Sequence, residues 1–264
     1  FEVIISLVEH KSSYLKETQF KVLIQSLFKY ALEIDKEIYD EWLTPKQYSY
    51  FHQEMIDEPE LSSAISYFDR LTSIYKAEKM NSILSQYIVD LLSNNINDWR
   101  YKYVGILTLR HMIPHVDEMI EIENIFSKVF ENISDNNPKI RYACISTLEE
   151  LADTYKPHFS LKHSKELIPF LLSRFDDNVL KIQLEACEAL NTIMSNDDET
   201  ELTKSAPLIL EKTFSLFLRN DIPNNLRECL LNVTATLACQ IGPLFAPFSE
   251  KCFEIIVNFF TNSY

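Results

Sequence analysis

The sequence predicts an all-α protein built as an α-solenoid of antiparallel helix pairs stacked into a right-handed superhelix. Three observations carry that prediction. The 264 residues include only two glycines, Gly105 and Gly242. An α/β fold of this length draws on many more for tight turns and phosphate loops, because glycine reaches positive φ without steric cost. Apolar residues recur at helical spacing almost throughout. Finally, a short apolar pattern returns at a drifting interval of about forty residues.

Taken in order, Phe1 to His10 reads as the end of one helix. Gln19 to Ile34 is a second, with Phe20, Leu23, Ile24, Leu27, Phe28 and Ala31 on one stripe. The stretch 35–60 breaks the period. It is rich in acids and aromatics, contains Pro45 and Pro59, and reads as a long inserted loop. Its acids include Asp40, Glu41, Asp57, Glu58 and Glu60. Helices are then expected over 61–76, 78–94, 98–112, 117–133, 138–155, 163–176, 178–195, 201–219, 223–241 and 247–261. The breaks carry turn signals such as Asn94-Asn95, Pro114, Asp135 to Pro138, Asn196 to Asp198 and Pro243. Pro138 opens a helix, where its missing N–H costs little.

The repeat is read by aligning YVGILTL (103–109) with YACISTL (142–148), an offset of 39 residues from Tyr103 to Tyr142. LEACEAL (184–190) follows, 42 residues on from Leu148 to Leu190, and then NVTATL (232–237), 47 residues from Leu190 to Leu237. One helix pair per unit of about forty residues is the HEAT signature. Small residues recur in the second helix of each pair (Gly105, Ala143, Ala186, Ala189, Ala235 and Ala238) and permit close helix approach. No single pair buries its apolar face alone, so the units stack. Residues 1–264 are therefore expected to form a single solenoid stretch of about five HEAT repeats, cut from a larger protein at both ends, with the insertion at about 35–60.

Charge narrows the partners. The formal net charge is −14, which argues against nucleic acid and anionic membranes and favours a basic partner. Membrane insertion is not expected, since no apolar run is read as long enough. The five cysteines (Cys144, Cys187, Cys229, Cys239 and Cys252) have no C-x-x-C spacing and sit among apolar residues, as reduced, buried thiols of a cytosolic or nuclear protein do.

Motifs for chemistry are scarce. His111 and His115 have the i, i+4 spacing of zinc ligands, but Pro114 lies between them and the glutamate of H-E-x-x-H is missing, so a helix-ending turn is the expectation. No G-x-S-x-G, Walker or dinucleotide motif is present. Paired acids such as Glu149 and Glu150 belong on a solenoid to solvated or binding faces rather than to acid–base work. No catalytic, cofactor-binding or metal-ligating residue is expected, and no enzyme. What remains is surface. The second helices would line the concave side, where Trp99, Tyr103, Ser146, Glu149, Glu150, Asp153, Glu185, Glu188, Thr192 and Asn232 form a ladder of acids, amides and aromatics. Such a ladder suits an extended basic peptide.

The stretches NDWRYKYVGILTLRHM (97–112) and DNNPKIRYACISTLEELADTYKPHF (135–159) resemble the importin-β (karyopherin-β) family. Asp98, Trp99, Arg100 and Gly105 match a D-W-x-Y-R-x-A-G pattern; Asp135, Pro138, Arg141, Tyr142 and Ala143 match D-P-x-P-R-V-R-Y-A-A. FEVIISLVEHKSSYL (1–15) resembles the helix before the family's acidic insertion, and DEW (40–42) through AISYFDR (64–70) falls where that insertion and the next helix lie. The resemblance implies a nuclear transport receptor shuttling between cytoplasm and nucleus. It implies basic cargo with nuclear localisation signals in the groove, and release by Ran-GTP held mainly through repeats outside this chain. It also implies weak contacts with phenylalanine-glycine nucleoporins. Here the acids of the insertion are spaced among Lys36, Trp42, Lys46 and tyrosines rather than run together. The rival reading is a HEAT scaffold that never transports, such as a phosphatase regulatory subunit or an assembly platform. The drifting period and the long insertion favour the receptor.

Overall fold

A computed structural model describes residues 1–11, 16–35, 37, 40–44, 58–75, 77–93, 98–116 and 119–262. The elements are all helical among these residues: α1 (Glu2–His10), α2 (Glu17–Ala31), α3 (Asp40–Leu43), α4 (Pro59–Tyr75), α5 (Ala77–Ser93), α6 (Trp99–Met112), α7 (Met119–Asn132), α8 (Pro138–Thr154), α9 (His158–Arg174), α10 (Leu180–Ser195), α11 (Glu199–Phe217), α12 (Asn224–Ile241) and α13 (Ala246–Asn262). Short 3-10 turns occupy Ile113–His115 and Gly242–Phe245.

Contacts divide the chain into two compact units, Phe1–Tyr39 with Ser49–Thr147, and Asp40–Tyr48 with Leu148–Tyr264. In the first, α4 packs on α2 and α1, and α5 on α6. Phe68 of α4 packs tilted against Phe28 of α2 with ring centroids 5.0 Å apart, and Gly105 brings α6 so near α5 that a Cβ there would lie 3.1 Å from Leu92 Cδ2. In the second unit α9 packs on α10, α10 on α12, and α11 on α12. Helices pack in pairs, and the second helices of neighbouring pairs touch one another, as α10 and α12 do. Leu184, Ala186, Cys187, Ala189 and Leu190 of α10 are fully buried, so small residues stand where the helices meet.

Helix starts follow local chemistry. Asp98 caps α6 by accepting from the Arg100 N–H at 3.1 Å, and Asp198 caps α11 by accepting from the Thr200 and Glu201 N–H groups. Several starts differ from the sequence expectation, two of them with a visible cause. α4 begins at Pro59 rather than 61, because proline suits the first turn and Glu58 O already accepts from Ser62 N–H. α9 begins at His158 rather than 163, since Phe159, His163 and Leu167 continue one buried stripe. A short helix, α3, also lies within the stretch expected to be loop. α12 ends at Gly242, whose φ of 47° falls in the left-handed region that favours glycine.

Against expectation, Asn224–Thr261 contains a window long and apolar enough by composition to cross a membrane. Its α12 half carries the buried stripe Leu226, Cys229, Leu230, Val233, Leu237 and Ile241, the pattern of a core helix, and Gly242 interrupts the stretch. The cysteine expectation is also corrected at one position. Cys144, Cys187, Cys229 and Cys252 are buried, but Cys239 is exposed because it follows the buried Leu237 by two residues and so turns away from that stripe. Burial pushes the Cys144 and Cys187 thiols up. A maleimide or disulfide reagent is therefore expected to label one thiol rapidly in the folded chain, Cys239, and all five only after denaturation. Mass spectrometry of the labelled peptides reads the result.

Candidate partner-binding face of the second helices

The first turns of the second helices are held by one recurring device, a side chain that reaches back to loop or helix-end carbonyls. Arg100 forks onto Asp98, with Nη2–Oδ2 at 2.7 Å, and its Nη1 donates to Leu32 O at 2.9 Å and Ile34 O at 3.2 Å. That cation sits at the carbonyl end of α2, where the helix dipole favours positive charge. In the next pair Arg141 Nη1 donates to Asp135 O and Asn136 O, and Asn137 Oδ1 accepts from Lys139 N–H. Then Gln183 Nε2 donates to Asp177 O, and Arg227 Nη2 donates to Arg219 O. The D-W-R and N-P-K-I-R stretches behind the resemblance are thus the joints of the scaffold.

Within the first unit the second helices α1, α4 and α6 are tied by charge. Arg70 of α4 reaches α1, with Nη1 2.8 Å from Glu2 Oε2 and Nε 2.6 Å from Glu9 Oε1. The neighbouring Asp69 turns instead toward α6, with Oδ1 2.6 Å from His111 Nε2. Trp99 stands edge-on to Tyr103 at 5.6 Å. The Lys139 ammonium lies 5.6 Å from each of these two ring centroids and pairs with the Glu58 carboxylate. Lys139 and Glu58 are both almost wholly buried.

Within the second unit the face carries Glu149, Glu150 and Asp153 of α8, Glu188 and Thr192 of α10, and Asn232 of α12. Thr192 Oγ1 donates to Glu149 Oε1 at 3.2 Å, which joins two neighbouring second helices. Thr154 Oγ1 donates to Glu150 Oε1 at 3.3 Å, and Asp153 pairs with Lys156 at 2.9 Å. Asp153 and Asn232 are exposed, whereas Glu149, Glu150, Glu188 and Thr192 are half-buried.

Three predicted groove residues are corrected. Tyr103, Ser146 and Glu185 are 0%, 1% and 4% exposed, so they are interior groups. The physical reason is coverage on every side: residues 139–148 of α8 are buried without a break, and α10 is nearly so from 181 to 190. Each of the three lies where its helix is enclosed, so its side chain meets other side chains rather than solvent. Trp99 is half-buried and engaged with Tyr103 and Lys139, so it supports the scaffold rather than standing free in a groove.

The insertion acids divide similarly. Asp57 lies outside the described residues, and Asp40 and Glu41 are described only as the start of α3. Glu60 is half-buried in the first turn of α4, where its charge favours the helix N-terminus. Glu58 is an interior partner of Lys139. In the second unit Trp42 of α3 is buried, and the Lys181 ammonium of α10 lies 4.6 Å from its ring centroid. Sequence reasoning missed Lys139 and Lys181. The signal was present, since both begin a K-I pair and lie 42 residues apart, the same offset that relates Leu148 to Leu190.

One carboxylate on the turn before α11 is strained electrostatically. Burial raises the Asp197 carboxyl above its ordinary range, with Asp198 and Glu201 adding to the effect against hydrogen bonds from the Asp198 backbone and Ser164. A raised folded-state value means that stability is fully present below the unfolded value and falls as pH rises through the folded one. Asp197→Asn is accordingly expected to stabilise the chain at pH 7, by on the order of 1 kcal/mol. The gain should shrink steadily as pH is lowered toward 4, which melting curves across that range would follow.

Comparison with known proteins agrees with this architecture. A family described as stalled ribosome sensor GCN1-like, HEAT repeats, matches residues 106–212. The probable importin subunit beta-4 of Schizosaccharomyces pombe (strain 972) is 21% identical over 153 residues, which are 57% of this chain and 14% of that protein. The solved structure of Kap121p superposes with a TM-score of 0.76 at 18% identity, over 92% of this chain and 23% of that one. Kap121p bound to RanGTP gives 0.77 at 17% identity, over 98% and 26%. The fold and its capped second helices define an all-α HEAT-repeat protein. Its particular fold is that of the karyopherins, and its sequence resembles the importin-β family. The chain spans about a quarter or less of the length of these relatives.

Proposed function

We propose that this chain is the central HEAT-repeat stretch of a nuclear transport receptor of the importin-β kind, nearest the importin-5 (karyopherin-β3) type. It would bind basic cargo through the polar face of its second helices and shuttle between cytoplasm and nucleus. The observation that carries the reading is the fold match, which extends over 92–98% of the chain in karyopherin structures. Kap121p has been solved bound to Pho4p, to Nup53p and to RanGTP, so that relative engages such partners. For this chain, the net charge of −14 supports attraction to lysine-rich segments that carry nuclear localisation signals. Of the expected ladder, Glu149, Glu150, Asp153, Glu188, Thr192 and Asn232 remain partly or fully exposed for that role. Ran-GTP would act mainly through repeats beyond this chain, and phenylalanine-glycine nucleoporins are the expected pore partners.

The GCN1-like match favours a second reading, a HEAT scaffold that does not transport. A labelled lysine-rich peptide titrated into the chain, followed by anisotropy at low and moderate salt, tests the first. Saturable binding that weakens with salt and with Glu149→Gln, Glu150→Gln and Asp153→Asn combined supports it. In the intact protein, release of that peptide by Ran-GTP separates receptor from scaffold; retention regardless of nucleotide would establish the scaffold.

A further inference from the structure

We propose that Asp69, His111 and His115 form a divalent-metal site, selective for zinc-type ions, that clips α4 to the end of α6. Among the described residues this is the one place where three metal-ligating side chains converge, with one donor atom from each lying within 4.8 Å of the others. Asp69 Oδ1 lies 2.6 Å from His111 Nε2 and 3.7 Å from His115 Nε2. Donors around a tetrahedral zinc ion sit about 2.0–2.2 Å from the metal, and hence roughly 3.4 Å from one another. The observed separations straddle that value. Movements of about 1 Å, within the reach of the more exposed His115 and Asp69 side chains, would bring all three into bonding distance.

The backbone prepares the arrangement. α6 stops at Met112, and the 3-10 turn Ile113–His115 is closed by Val116 N–H donating to Ile113 O at 3.2 Å. Pro114 therefore does end the helix, as the sequence suggests. The turn still leaves both imidazoles near one carboxylate, with ring centroids 6.1 Å apart at 66°. The third ligand comes from a different helix pair, which no i, i+4 spacing could disclose. His111 is 16% exposed in its side chain and held firmly; His115 at 34% and Asp69 at 52% leave a side open to solvent, where water would complete the coordination. Two imidazoles and one carboxylate suit zinc better than magnesium or calcium, which prefer oxygen donors.

Charge placement agrees. Arg70 is turned toward Glu2 and Glu9 of α1, so its guanidinium is matched there. An ion at this point would cross-link two neighbouring second helices and stiffen the junction between their repeats.

Zinc titrated calorimetrically into the full chain, after chelator removal and in a Cys239→Ser background, provides the test. The expected result is one ion per chain and a rise in melting temperature on loading. Loss of even an outer partner of a metal ligand costs about 10–100-fold in affinity, so Asp69→Asn and His115→Ala are each expected to weaken binding at least tenfold. Cobalt in place of zinc should give ligand-field bands of nitrogen and oxygen coordination without a thiolate charge-transfer band. Asp69→Asn is close to isosteric and His115 is partly exposed, so both variants should remain folded, and zinc should no longer raise the melting temperature of either above its own metal-free value. Absence of saturable binding, or an unchanged isotherm in the His111→Ala/His115→Ala double variant, would overturn the proposal.

Discussion

Glu58→Ala is expected to destabilise the chain by about 3–5 kcal/mol, because it leaves a buried charge without its ion-pair partner. Glu58 and Lys139 are 4% and 5% exposed, and their side chains form an ion pair. Deleting the carboxylate leaves an ammonium in a desolvated site. The rings of Trp99 and Tyr103, each 5.6 Å away, compensate only in part, since a cation–π contact contributes about 0.5–2 kcal/mol. Glu58→Gln should lose less, because its amide oxygen can still accept from the ammonium. The double variant Glu58→Leu/Lys139→Met removes both charges and is expected to recover most of the loss, as apolar replacements of buried pairs commonly do. Urea unfolding followed by circular dichroism measures all three. Equal losses in single and double variants would show that the pair is not coupled in this way.

Arg100→Ala is expected to cost about 2–3 kcal/mol, with Arg100→Lys recovering little of it. The guanidinium makes two kinds of bond at once. Its Nε and Nη2 grip Asp98, the cap of α6, while Nη1 bridges Leu32 O and Ile34 O at the end of α2. A lysine ammonium is a point donor and cannot span both. Its loss should loosen the end of α2 and the start of α6 together, so amide hydrogen exchange at residues 29–34 and 99–103 should quicken in either variant. Exchange confined to one of the two segments would contradict the bridging role.

The same residue illustrates how far the sequence could be read. D-W-R at 98–100 was visible as a family pattern, and the capping role of Asp98 follows from its place before a helix. The recipient of the arginine was not visible, because Leu32 lies 68 residues away. The ladder of groove residues shows a sharper limit. Helical spacing places Ser146 and Glu185 on second helices, but burial depends on neighbours that the spacing of one helix does not contain. α8 is enclosed over residues 139–148, and so Ser146 is interior while Asp153, one turn and more beyond, is exposed. Lys139 and Lys181 were passed over because cations are ordinarily placed on the surface. Aromatic rings and, for Lys139, a carboxylate from the insertion make their burial tolerable.

The sequence by itself determined the class of fold. Two glycines, a 3.6-residue apolar period and a recurring unit of about forty residues leave stacked helix pairs as the way to bury the apolar stripes. Those signals are local or periodic, and a single chain displays them directly. Tertiary structure decided which polar residues face outward, where the insertion anchors Glu58 and Trp42, and that Asp69 meets His111 and His115. Each of these depends on residues far apart in the chain being brought within a few ångströms. Repeat stacking sets that proximity, and no spacing along one helix encodes it.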